Sequence, residues 1–210
     1  MKKTVLFISA LVVTFITLYA SQQVFRQVTI GDLVWMGENL NVDKFQNGDP
    51  IPQAKSTEEW LEAGKKGTPA WCYLNNDPIN GERYGKLYNW YAVNDPRGLA
   101  PEGWRVATEQ DWKQLVNQYG GIRNAGGALK SRSGWARGNG SNESGFNGLP
   151  GGMRKFNGDF DFINHDSYWW TSTEYDNRSA YFHHLSHMGS QMGDGEGPKL
   201  VGLYVRCVKN

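Results

Sequence analysis

Three groups of side chains in this sequence are of types that could do chemistry. His183, His184 and His187 form its one histidine cluster, Cys72 and Cys207 are its two cysteines, and oxygen-bearing side chains crowd at Asn75-Asn76-Asp77 and Asp194-Gly195-Glu196. Spacing decides what each could do. On an extended strand His183 and His187 share a face but lie about 13 Å apart, too far for one zinc ion, whereas on a helix they would converge. The surrounding residues read as strand, so no zinc is expected. The two oxygen-rich clusters could serve calcium, yet both also read as turns whose side chains bond their own backbone. Calcium is the one cofactor left open. The cysteines either close one long-range disulfide or stay buried as free thiols. Serines abound, but no Gly-x-Ser-x-Gly phrase is present to expose one as a nucleophile. Asp159, Asp161, Asp166 and Glu174 sit in turns and strand ends without the frame that paired carboxylates need for glycoside hydrolysis. No catalytic residue is assigned.

The aromatic side chains give a better lead. The chain has 9 Trp, 10 Tyr and 9 Phe, and rings beside Asn and Asp can stack on pyranose faces while the polar groups meet hydroxyls. If residues 168–173 form a strand, Trp169 and Trp170 point to opposite faces, one into the core and the other toward a loop surface. The segment Tyr175 to Pro198 is rich in Tyr, His, Asn, Ser, Gly and Met. Candidate ligand contacts are therefore Trp170, Tyr175, Asn177, Tyr181, His183, His184 and His187.

These residues must be positioned by elements that the sequence also indicates. Val24 to Ile30 and Leu33 to Leu40 read as strands around a Gly31-Asp32 turn. Ser56 with Glu59 is a capping box for a helix over 57–63, with Gly64 as its stop. Thr108 with Asp111 repeats the device ahead of Trp112, Leu115, Val116 and Tyr119 at helical spacing. Asn157-Gly158 predicts a type I′ hairpin between 152–156 and 159–163. Strands follow at 168–173, 179–186 and 200–208. The fold class is α+β, with two helices packed on loop-rich antiparallel sheets.

Composition sets outer bounds. Average usage predicts about 15 glycines, and the 26 present mark many tight turns rather than a helical bundle. A formal charge of +1 supplies no basic field to hold a phosphate backbone, so nucleic acid is not an expected partner. Lys2 and Lys3 followed by the apolar run Thr4 to Ala20 have the layout of a signal peptide over residues 1–20, ahead of a single domain over 21–210. Removing that segment takes away two lysines and no acid, which leaves a formal charge of −1. The chain is expected to be exported, to the periplasm, the outer surface or the medium. Contact with a membrane arises only if residues 4–20 stay uncleaved, since the run approaches the ~20 residues that span a bilayer.

Six phrases carry a resemblance: Trp71-Cys72-Tyr73-Leu74-Asn75-Asn76-Asp77-Pro78, Tyr84-Gly85-Lys86-Leu87-Tyr88-Asn89-Trp90, Leu99-Ala100-Pro101-Glu102-Gly103-Trp104-Arg105-Val106, Ser144 to Gly152, Tyr168 to Glu174 and Val205-Arg206-Cys207-Val208. In this order they resemble the Fibrobacter succinogenes major paralogous domain from about Val28 to Asn210. The resemblance implies a C-type lectin-like fold, shared with the formylglycine-generating enzyme and with hypervariable ligand-binding proteins. It implies export and no particular activity. Formylglycine-generating chemistry uses two late cysteines on copper, and only Cys207 stands there, so its ligands are lacking. Many members carry a cysteine where this chain has Ala100, and its absence favours Cys72 with Cys207 if a bridge forms. The function expected is non-catalytic recognition of a glycan or a cell-surface protein through the C-terminal loops. The alternative class is a structural or assembly component of the bacterial envelope.

Overall fold

A computed structural model describes residues 25–210; the expected signal segment over 1–20 lies outside the described residues. In chain order the elements are β1 (Gln27–Ile30), β2 (Leu33–Met36), α1 (Thr57–Lys66), β3 (Trp71–Cys72), α2 (Pro78–Tyr84), β4 (Leu87–Tyr88) and α3 (Trp90–Val93). Next come β5 (Trp104–Val106), α4 (Glu109–Gln118) and α5 (Ala125–Leu129). The strand-rich remainder is β6 (Gly151–Arg154), β7 (Phe160–Ile163), β8 (Asp166–Glu174), β9 (Ser179–Ser186), β10 (Met192–Pro198), β11 (Tyr204–Val205) and β12 (Cys207–Lys209). The content is α+β, as the sequence implies.

Both long helices start where the capping residues predict. The Ser56 hydroxyl accepts from the Glu59 amide at 3.2 Å, and Thr108 with Asp111 forms a complete reciprocal box. The stop of α1 differs from expectation. The helix runs on to Lys66 and ends at Gly67 with φ +66°, while Gly64 lies inside it, where a Cβ would come within 2.8 Å of Leu200. Gly64 is a packing glycine, not a cap. Helices α2, α3 and α5 were not expected, because four to seven residues are too few to show a helical period.

The strands form two main sheets and a short β3-β4 pair. The first sheet has the order β1-β2-β12-β5 and is antiparallel throughout. The second has the order β10-β9-β8-β6-β7, with β11 also alongside β8. It is mixed rather than antiparallel as expected: β6 and β11 run parallel to β8. The β6-β7 turn is also not type I′. Only Gly158 there takes positive φ, +87°, and type I′ needs it at both central residues.

The single strand expected over 200–208 is two. Tyr204 and Val205 pair with Trp169 and Trp170 of β8, whereas Cys207 to Lys209 pair with β5. Arg206 sits at the crossing between sheets and is buried. It donates to the carbonyls of Met36 and Phe146, each at 2.8 Å, and to Asn39 Oδ1 at 2.7 Å. The Asn39 oxygen also accepts from Trp169 Nε1 at 2.8 Å. A buried cation is tolerated here because its donors meet carbonyl dipoles and the Phe146 ring, 4.1 Å away.

Strand β8 is a wall between two hydrophobic cores. Trp169 enters the one containing Trp35, Trp60, Trp112 and Phe146, and Trp170 enters the other, with Trp71, Tyr88 and Trp90. Trp170 is fully buried and donates to the Tyr88 carbonyl at 3.0 Å. The expectation that it faces a loop surface is therefore corrected: at Trp169 and Trp170 both faces of β8 are covered.

Candidate functional site

The register of β8 against β9 sets Tyr168 opposite His184 and Trp170 opposite Phe182. These four rings share one face of the sheet. Trp170 is sealed beneath, while Tyr168 and Phe182 are half-buried and form the wall of a groove of about 270 Å³. Met153, Phe156, Phe162, Pro198, Val201 and Leu203 complete its apolar lining. The rings meet edge-on or tilted, with Phe162 to Tyr168 at 5.8 Å and Tyr168 to Phe182 at 5.9 Å between centroids. Phe156 is 64% exposed and Phe162 37%.

One border of the groove is β10, whose sequence Met-Gly-Asp-Gly-Glu-Gly-Pro does not look like a strand. It becomes one because its glycines make room for rings. A Cβ on Gly193 would collide with the His184 imidazole, and one on Gly195 or Gly197 would come within 3.2 Å of the Phe182 ring. On the other border Phe162 has φ +65°, a left-handed conformation that costs a bulky residue on the order of 1–3 kcal/mol. That strain presents its ring to the groove. The rim carries the Lys155–Asp161 ion pair at 2.9 Å. Tyr168 donates to Asp166 Oδ2 at 3.1 Å; burial first, and then the Asp166 charge, push its phenol well above the ordinary range. Burial holds the His184 imidazole below its usual value, so the ring that stacks on Tyr168 at 5.3 Å is neutral at pH 7.

The sequence profile of the Fibrobacter succinogenes major domain matches residues 28–209. The chain belongs to this family. No curated protein and no solved structure matches it. The match runs from within β1 to the last residue of β12, so the groove lies wholly inside the Fibrobacter succinogenes major domain.

Within this domain the seven expected contacts fall in separate places. Tyr175 and Tyr181 meet edge-on at 5.2 Å beside exposed Asn177, at the turn joining β8 to β9. His184 shares the groove face, where it packs on Tyr168. His183 points the other way and is buried. Its Nε2 lies 2.8 Å from Glu109 Oε2 and its ring stacks on Trp112 at 5.1 Å, which fastens α4 to β9. Burial works to raise the Glu109 carboxyl, but the His183 hydrogen bond and the Lys113 charge outweigh it and hold it low. His183 and Trp170 are thus core residues. His187 lies beyond the end of β9, edge-on to His165 at 4.7 Å and 3.7 Å from Asp166.

Cys72 and Cys207 are free and buried, one in each core cluster. Of the two arrangements open in the sequence, the structure holds the unbridged one. Burial pushes the Cys72 thiol up to about 11 and the Cys207 thiol to about 12, so neither is a nucleophile at neutral pH. Asp77 is engaged in capping α2, accepting from the Ile79 amide at 3.0 Å. Among the described residues no group of three or more His, Cys, Asp or Glu side chains is arranged to hold a metal ion. The groove residues absent from the expected contacts include Met153, Phe156, Phe162, Tyr168 and Phe182. Phe156, Phe160 and Phe162 in one predicted hairpin were the available signal.

Proposed function

We propose that this domain is an exported, non-catalytic binding module of C-type lectin-like fold, and that its ligand seats an apolar surface in the groove of Met153, Phe156, Phe162, Tyr168 and Phe182. The observation that carries the reading is the exposed aromatic lining, held partly by a strained Phe162. A monomeric surface keeps few such rings together without a use for them. The two capped ten-residue helices and the loop-rich sheets support the fold. The basic and apolar segment over residues 2–20 supports export.

Of the two ligand classes expected, a cell-surface protein fits the groove better than a glycan. The lining offers rings and methylenes but almost no hydrogen-bonding groups, and sugar hydroxyls left without partners would cost binding energy. Phe156→Ala removes an exposed ring with little effect on folding. An envelope extract passed over the wild-type chain and over Phe156→Ala should yield a protein retained by the first and lost from the second. Equal retention by both, or binding on a glycan array that Phe156→Ala leaves unchanged, would refute the reading.

A further inference from the structure

The groove ends at an unpaired sheet edge. Strand β10 pairs with β9 alone, and among the described residues no backbone group from Gly193 to Gly197 bonds to anything but β9. Such an edge is a ready template for a further strand. Its two faces differ in chemistry. Gly193, Gly195 and Gly197 lie on the groove face beneath the His184 and Phe182 rings. Asp194 and Glu196 point to the opposite face, both exposed and without an ion-pair partner among the described residues. Building on the groove-binding reading above, we propose that β10 accepts an extended peptide as an added strand, with alternate apolar side chains on the groove face and alternate basic side chains on the other.

The acids select the partner. A second copy of β10 paired antiparallel about Gly195 would set Asp194 against Glu196 twice, and like charges directly opposite are destabilising. Self-pairing is thereby opposed, whereas lysine or arginine at the same positions is favoured. The absent side chains on the groove face matter equally. Rings that already cover the β10 glycines reach to the edge, where an apolar side chain of the incoming strand can meet them. Backbone bonds would supply affinity and the two-residue alternation would supply specificity.

The test uses the purified full chain and a labelled peptide, Val-Lys-Val-Lys-Leu-Lys-Val, followed by fluorescence anisotropy. Three comparisons accompany it: the same peptide with Glu for Lys, the same peptide methylated on alternate backbone amides, and the D194K/E196K protein. The lysine peptide should bind at least about tenfold more tightly than the glutamate peptide, and the double variant should reverse that order. Amide methylation should weaken binding about tenfold or more, since two or more backbone bonds are lost. No binding of the lysine peptide, or binding indifferent to amide methylation, overturns strand addition. In the second case, weakening by Phe156→Ala would leave the groove reading standing. Binding sensitive to methylation but unchanged in Phe156→Ala would uphold the edge and sink the groove.

Discussion

Replacing Trp170 by alanine separates a core wall from a binding surface. The side chain is fully buried between Tyr88, Phe182 and the rest of the second core, so truncation removes the whole indole from packed surroundings. Losses of this kind cost about 3–5 kcal/mol. The Tyr88 carbonyl keeps the Leu203 amide as a donor at 3.1 Å, so the lost indole bond adds only about 1 kcal/mol. A total of about 4–6 kcal/mol is comparable to the whole stability of an ordinary domain, about 5–15 kcal/mol. Trp170→Ala should therefore be largely or wholly unfolded at modest urea. Trp170→Phe keeps much of the buried area and gives up the hydrogen bond, so its loss should be smaller, about 2–3 kcal/mol. Urea denaturation followed by far-UV circular dichroism measures both. The reasoning is refuted if Trp170→Ala loses less than about 1 kcal/mol, and it fails most plainly if that variant keeps full stability while losing ligand.

Three further outcomes are expected. Ellman's reagent should find no reactive thiol in the native chain and two after guanidinium denaturation without reductant; two fewer would establish a Cys72–Cys207 bridge. Burial works to raise the Asp111 carboxyl, but Arg105, with Thr108, outweighs it and leaves the folded value below the ordinary 3.8. Its contribution is thus complete above about pH 4 and lost as pH falls through the folded value. Asp111→Asn should cost about 1–2 kcal/mol at pH 7, because Arg105 is partly exposed and the cap is only weakened, and a thermal melt should show the gap closing toward pH 2. N-terminal sequencing of protein recovered from the expressing cells should begin near Ser21, and a start at Met1 or Lys2 would contradict export with cleavage.

The parts of this molecule that were legible in advance are those where a local rule decides the outcome. Ser56, Thr108 and Asp111 announce helix starts because orphan amides need acceptors there whatever the tertiary context. Trp170 was misplaced for the opposite reason. Alternation along β8 correctly separates it from Trp169, but whether a strand has one covered face or two is settled by distant residues such as Trp90 and Tyr88. Strand β10 was invisible because its strandedness belongs to Phe182 and His184, whose rings occupy the space that its glycines leave. His183 carried a chemical suggestion that its neighbour in space, Glu109, turns into a structural one. The groove was half legible: Tyr168 stood in a recognised phrase, whereas Phe162 enters it through a left-handed backbone that no residue pattern announces.

The order of the first sheet has a mechanical consequence. Val28, Trp35 and Val208 stand in line across β1, β2 and β12, so the chain enters and leaves the domain two strand spacings apart, about 10 Å. Within a longer polypeptide such a domain would hang to one side, like a bead on a short loop of thread. Tension along that polypeptide would load the hydrogen bonds joining these three strands and pass by the second sheet. The groove and its open edge could then hold a partner while the anchoring strands alone carry the pull.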